Sequence, residues 1–259
     1  MLLLIDAGNT RIKWALTESG ARDADVLGRW IASGAVERAD IAQLADAWRG
    51  RNIARVLLSN VAGQAMRDDL EQLLLRALGP KPVLPEWFKS VPLMGGVRNG
   101  YRNPAQLGCD RLAAAIGAHA MYPGRPLIVA SCGTATVIDA ITADGVFLGG
   151  MILPGLGLMA AALANNTAQL PQVVQHIGGS TPFADNTDDA IVSGCVAAQA
   201  GAIERAVAAH TRRHGAVQCI ISGGAATMVA PHLSISCITI DNIVLIGLQT
   251  VAMQQKALC

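Results

Sequence analysis

The segment LLLIDAGNTRIKWAL, residues 2–16, constrains the fold more than any other part of the chain. Four apolar residues run into a carboxylate at Asp6. A turn of small and polar residues follows, and the alternating RIKWAL resumes as a half-buried strand. A Walker A loop would read Gly-x-x-x-x-Gly-Lys-Ser/Thr and feed a helix; here a hairpin is expected. A carboxylate at the end of an apolar strand costs solvation energy unless a cation sits against it. Gly8 lets backbone amides approach a ligand closely. Two readings are open on these residues alone. In one, the turn cups phosphates, Asp6 holds Mg²⁺, and Asn9, Thr10 and Lys13 reach phosphate oxygens. In the other, it is an ordinary turn with Asp6 solvated at a strand end.

A second segment has the same build. PLIVASCGTATVIDAI, residues 126–141, is again an apolar strand, a small-residue turn and a second strand. An internal repeat of this kind predicts two similar halves meeting at a cleft. The halves are expected to divide at 123/124, giving domains 1–123 and 124–259. Strands alternating with helical patterns predict an α/β protein with some antiparallel hairpin strands in each half. In the first half, VERADIAQLADAW and MRDDLEQLLLRAL have helical spacing, and ARVLLSNV reads as a buried strand. The Gly-, Asn- and Pro-rich MGGVRNGYRNPAQLG reads as a loop leading into the helix CDRLAAAIGAHAM. In the second half, one long helix is expected from Thr187 as N-cap to Gly215. A strand and Gly-Gly turn in VQCIISGGAA, the strand SISCITI and a helix from about Ile243 complete the chain.

Composition narrows the function classes. Hydrophobic residues make up 52% of 259, ample for a sizeable core. Twenty basic and 19 acidic residues leave a net charge of +1, so no strong field attracts nucleic acid or an acidic membrane. The six cysteines form no Cys-x-x-Cys pair and read as reduced thiols of a cytoplasmic protein. Asp6 breaks the N-terminal apolar run too early for a signal peptide. Residues 145–164 carry no charge and match a membrane span in length. Gly149, Gly150, Pro154, Gly155 and Gly157 punctuate them, so a strand to Leu153, a Pro-Gly turn and a short helix are expected.

Other short motifs each carry a plain alternative. Gly133–Ala135 is a second phosphate contact or a β-turn in which Thr134 bonds its own backbone. Ser222–Ala226 admits an adenine or ribose to the backbone, or is a strand-to-helix turn that needs a glycine. In GCDR, residues 108–111, Asp110 is a base facing an acceptor hydroxyl, with Arg111 binding an anion, or it is an acid favoured by the helix dipole. His210 and His214 lack an acidic third ligand and are explained as basic residues in a last helical turn, so no metal is assigned there.

Taken together these residues resemble the type III pantothenate kinases, within the acetate and sugar kinase/actin-like superfamily. The resemblance rests on DAGNTRIK at 6–13, GCDR at 108–111 after Tyr101, GTAT at 133–136, GGMILPG at 149–155, NT at 186–187 and SGG at 222–224. It implies two duplicated ribonuclease-H-like (actin-like ATPase) domains with the active site in the cleft between them. It implies ATP-dependent phosphorylation of pantothenate to 4'-phosphopantothenate, the first step of coenzyme A biosynthesis. Asp6, Ala7, Gly8, Asn9, Thr10, Arg11, Ile12, Lys13 and Thr134 would bind ATP, with Asp6 holding Mg²⁺. Tyr101, Gly108, Cys109, Asp110, Arg111 and Thr187 would bind pantothenate, and Asp110 would accept the proton of the attacking hydroxyl. The resemblance further implies a homodimer activated by K⁺ or NH₄⁺; the near-neutral charge predicts no nucleic-acid or membrane partner. One position departs from the family: Ser131, a neutral hydroxyl, stands where an Asp commonly ligates the monovalent cation. The competing readings are another small-molecule kinase of the superfamily and a non-catalytic regulatory protein on the same fold. Retention of Asp6 and Asp110 argues against a dead site.

Overall fold

The computed structural model describes residues 1–18, 26–79, 83–167 and 182–255. The chain forms two compact units. The first comprises Met1–Pro123, Gly145–Phe147 and Asn242–Cys259; the second comprises Gly124–Asp144 and Leu148–Asp241. The chain thus leaves the first unit at 123/124, re-enters it briefly at 145–147 and returns to it at 242, so the last helix, expected with the second half, clusters with the first.

The first unit is built on β1 (Leu2–Ala7), which pairs antiparallel with β2 (Arg11–Thr17) so that Asp6 lies opposite Lys13. β2 continues antiparallel to β3 (Ala32–Glu37). On its other side β1 runs parallel to β4 (Arg55–Asn60), which runs parallel to β5 (Pro85–Trp87). The sheet order is β3-β2-β1-β4-β5. β1 and β4 are near-continuous apolar runs because a central strand is covered on both faces. Helix α1 (Leu44–Trp48) and α2 (Gln64–Leu78) complete the core on one face. Met66, Leu70, Leu73, Leu74 and Ala77 of α2 fall on one helical stripe and meet Trp14 and Trp48, whose rings pack edge to face at 6.4 Å.

Two local expectations change here. Val36 and Glu37 belong to β3, held by pairing with Ile12 and Arg11, and residues 38–43 form a 3₁₀ turn before α1. Sheet pairing overrides the helical spacing of VERADIAQ. The expected loop after Met94 contains a hairpin, β6 (Leu93–Met94) with β7 (Val97–Asn99), and then a 3₁₀ turn at Pro104–Gln106 capped by the Asn103 side chain. α3 (Cys109–Met121) follows as the sequence predicts.

The second unit repeats the pattern. β8 (Leu127–Cys132) pairs antiparallel with β9 (Ala135–Ile141), and β10 (Val146–Pro154) lies beyond β9. β11 (Gln218–Ser222) runs parallel to β8, and β12 (Cys237–Thr239) parallel to β11. The order β10-β9-β8-β11-β12 reproduces that of the first sheet. Val146 and Phe147, the opening residues of β10, pair with Arg98 and Asn99 of β7 inside the first unit.

Residues 145–164 form no single helix: β10 ends at Pro154 and α4 (Leu156–Asn166) begins after Gly155. α5 (Thr187–His214) ends at Gly215, as expected. Its N-cap is Asn186 rather than Thr187: the Asn186 side chain accepts the Asp189 N–H at 3.0 Å. α5 is long and apolar enough to cross a membrane by length and composition, but Ile191, Cys195, Val196, Ala200 and Ile203 pack into the core with Ile128, Ala130 and Ile221. After the short α6 (Ala226–Val229), α7 (Ile243–Gln255) packs along α3 in the first unit. The crossing is close: a Cβ on Gly247 would collide with the Ala113 carbonyl, and one on Gly117 would lie 2.6 Å from the Ile243 carbonyl.

Candidate active site

The β1–β2 turn is closed by its own backbone, Gly8 N–H donating to the Arg11 carbonyl at 3.0 Å. Asp6 sits one residue before the end of β1. Burial pushes its carboxyl from 3.8 up to about 7, the Asp110 carboxylate adds to the rise, and the Lys13 ammonium opposes it. A half-buried carboxylate with only partial compensation is what a divalent cation would neutralise. Among the described residues no cluster of three or more His, Cys, Asp or Glu is placed to hold a metal. Mg²⁺ is commonly bound by one or two carboxylates together with phosphate oxygens and water, and Asp6 supplies one carboxylate beside the turn.

The remaining turn residues divide by side chain. Ala7 and Ile12 are fully buried in the core, so only their backbone can face a ligand. Asn9 and Thr10 are exposed, and the Thr10 carbonyl accepts the Arg38 N–H at 2.8 Å. Arg11 forms an exposed ion pair with Glu37 at 2.6 Å.

In the same unit, α3 presents Asp110 in its first turn. The Arg111 N–H donates to Asp110 Oδ1 at 2.8 Å and fixes the rotation of the carboxylate. Burial raises the Asp110 carboxyl above its ordinary range, while Arg111 draws it back through its N–H and its guanidinium. The Asp110 carboxylate contributes to the rise at Asp6, which places the two carboxylates within electrostatic reach. Arg111 is buried. Its guanidinium donates to the Tyr101 hydroxyl at 2.8 Å and lies 5.6 and 5.7 Å from the Tyr101 and Phe147 ring centres. Tyr101 and Phe147 meet edge to face at 5.8 Å, and the Phe147 carbonyl accepts the Gly100 N–H. The Cys109 thiol contacts Ser59 Oγ at 3.4 Å and the Asn60 carbonyl at 3.5 Å, and burial pushes its pKa up, away from thiolate chemistry. Phe147 and Ser59 carried no sequence signal, because their contacts lie 46 and 50 positions along the chain.

In the second unit, Thr134 is exposed at the tip of the β8–β9 turn, which closes with Gly133 N–H donating to the Ala135 carbonyl at 3.0 Å. Thr187 is exposed at the first residue of α5. Ser131 occupies in β8 the place that Asp6 occupies in β1, with Val137 and Ser222 as its register neighbours. Gly223, at φ +98°, sits so close to the Cys132 carbonyl that a Cβ would collide with it, and Ala225 N–H donates to that carbonyl at 3.1 Å. The Ser222–Ala226 turn therefore braces the β8–β9 turn from outside.

The family model for type III pantothenate kinases matches residues 2–209. The type III pantothenate kinase of Herminiimonas arsenicoxydans is 61% identical over 261 residues, covering 100% of both chains. Among solved structures, a Campylobacter jejuni protein assigned to the Baf family of transcriptional activators superposes with a TM-score of 0.61 at 18% identity, covering 98% of this chain and 99% of that one. A Sinorhizobium meliloti protein described as a 2-dehydro-3-deoxygalactonokinase superposes with a TM-score of 0.58 at 14% identity, covering 98% and 99%. At such identities the structural likenesses establish the fold alone, that of the actin-like ATPases and sugar kinases. The full-length sequence match and the family model settle the rest: the chain belongs to the type III pantothenate kinase family.

Proposed function

We propose that Asp110 is the proton acceptor in the ATP-dependent phosphorylation of pantothenate, the activity of coenzyme A biosynthesis that membership of this family assigns to the chain. The observation that carries the proposal is the Asp110 carboxylate, pinned by the Arg111 N–H and raised by burial beside a second carboxylate. Phosphoryl transfer needs chiefly positioning and neutralisation of charge. A base whose pKa is moved toward neutrality takes the hydroxyl proton more readily as the bond to phosphorus forms.

The other residues divide the work. The Asp6–Lys13 turn would receive the ATP phosphates through its amides and the Lys13 ammonium. Asp6 would hold Mg²⁺, which when bound neutralises phosphate charge. Arg111, steadied between two rings and by the Tyr101 hydroxyl, would take the pantothenate carboxylate with Tyr101 beside it. Thr134 is read as an ATP contact and Thr187 as a pantothenate contact. Activation by K⁺ is retained but weakened, because the donors at the Ser131 strand end are neutral oxygens, which hold a hard cation more loosely than a carboxylate.

A homodimer is supported by the exposed Leu148, Met151, Ile152, Leu158 and Leu163 of β10 and α4. A cytoplasmic location is supported by free thiols, including Cys219 and Cys237, which are direct register partners yet unbridged; Cys259 lies outside the described residues. The test is a coupled ADP-release assay with pantothenate. Asp110→Asn is expected to lose about 10²- to 10⁴-fold in kcat with little change in the pantothenate KM. Near wild-type turnover in the purified variant would remove Asp110 from the mechanism.

A further inference from the structure

Gln199 lies mid-way along α5, fully buried. Its Nε2 donates to the Pro154 carbonyl at 2.6 Å and contacts Met159 Sδ at 3.3 Å, while its Oε1 has no hydrogen-bond partner among the described residues. A buried, half-satisfied amide is costly, because the orphaned oxygen gives up water without gaining a partner. A methionine or leucine would fill the same space without that cost. Retaining glutamine calls for a reason, and the bond to Pro154 supplies one.

The Pro154 carbonyl and the Gly155 N–H belong to one peptide unit. That unit is planar and trans, so its C=O and N–H point in opposite directions. Gln199 holds the C=O end. The N–H end donates to the Thr134 carbonyl at 2.9 Å. Gly155 is pressed so tightly on the turn that a Cβ there would collide with the Gly133 carbonyl and lie 2.5 Å from that of Thr134. Fixing one end of the peptide plane thereby aims the other at the tip of the β8–β9 turn, and two hydrogen bonds in series through one amide polarise one another.

We propose that Gln199 is a positioning residue for the nucleotide-binding turn, acting on Thr134 through the Pro154–Gly155 peptide. The proposal rests on the reading of Thr134 as an ATP contact, and the test separates the two. Steady-state kinetics on the full chain would compare Gln199→Met, Thr134→Ala and the double variant. Methionine keeps the length and the packing and removes the donor together with the orphaned oxygen. Gln199→Met is expected to raise the ATP KM about fivefold, leave the pantothenate KM within about twofold, and leave the melting temperature within a few degrees, because the loss of the orphaned glutamine oxygen offsets the donor lost by the Pro154 carbonyl. The double variant should show little more effect on the ATP KM than Thr134→Ala alone. If Thr134→Ala raises the ATP KM and Gln199→Met does not, the relay is overturned and the Thr134 contact stands. If neither moves it, both fall. A rise in both KM values with a lower melting temperature would make Gln199 a structural residue and overturn the proposal. Should Gln199→Met fail to fold, Gln199→Glu carries the test. A protonated carboxyl can donate to Pro154 and a carboxylate cannot, so its ATP KM relative to wild type should fall as pH is lowered; a constant ratio would overturn the proposal.

Discussion

The β1–β2 and β8–β9 turns are copies of one design put to different uses. Both hairpins close on a single backbone hydrogen bond, both lead strands run parallel to a third strand, and the burial of β1 and β8 matches residue for residue. The difference lies in what stands one residue before the end of the strand and in what supports the turn. The first copy has Asp6 opposed by Lys13 and coupled to Asp110; the second has Ser131 between Val137 and Ser222. The second is braced by Gly155 and Gly223, which approach its carbonyls too closely for any side chain. The duplicated scaffold thus leaves charge in one copy and backbone rigidity in the other. A carboxylate can be held at a strand end at the cost of burial, whereas a neutral turn must be held in shape by its neighbours.

The sharpest way to break this contrast is to remove the charge. Asp6→Asn should cut ATP-dependent turnover by about 10²-fold or more, since electrostatic terms dominate phosphoryl transfer. Ser131→Ala should stay within about tenfold when K⁺ is saturating. Equal losses in the two variants, measured by ADP release, would mean that the copies do the same work.

The charge also writes itself into stability. The unfolded chain loses the Asp6 proton near 3.8, but the ligand-free native state keeps it to about 7. The native state therefore binds more protons across that window, and stability falls as pH rises from about 4 to about 7, by up to about 4 kcal/mol, then levels off. Asp110, also raised, acts in the same direction. Melting temperatures of the ligand-free protein across pH 5–8 should fall more steeply for wild type than for Asp6→Asn. Parallel curves would show that the Asp6 carboxylate is already neutralised.

Rigidity is tested at the braces. Gly223→Ala must hold a left-handed φ of +98° and meet the Cys132 carbonyl, so a loss of about 2–4 kcal/mol in chemical denaturation is expected. Gly8→Ala meets only the Arg11 carbonyl, at 3.1 Å, and should cost about 1 kcal/mol or less. The reverse order would place the rigid copy in the first unit. The smallest effect is expected from Ser131→Asp. It should lower the K⁺ concentration needed for half-activation several-fold in a KCl titration with choline chloride holding ionic strength. An unchanged titration would separate Ser131 from the cation.

The local grammar of the chain was enough to determine the two strand-turn-strand segments, the helix that carries Asp110, the stop of α5 at Gly215 and the residues of both turns. Alternation, caps and glycines act over a few positions, so they are written where they act. The same grammar misplaced residues 36–37, because pairing with β2 outweighs helical spacing, and it put the cap of α5 one residue late, because the Asn186 side chain accepts the Asp189 N–H. Only the tertiary structure decided which elements meet. It returned α7 to the first unit, where Gly247 lies against the Ala113 backbone; it set Phe147 beside Arg111; and it ran Gln199 through Pro154 to the turn of Thr134. A period of two or 3.6 says which face of a strand or helix is buried, and nothing about what covers it. Contacts separated by 36 to 134 positions are chosen by shape and by the need to satisfy buried polar groups, and those terms exist only once the chain has folded.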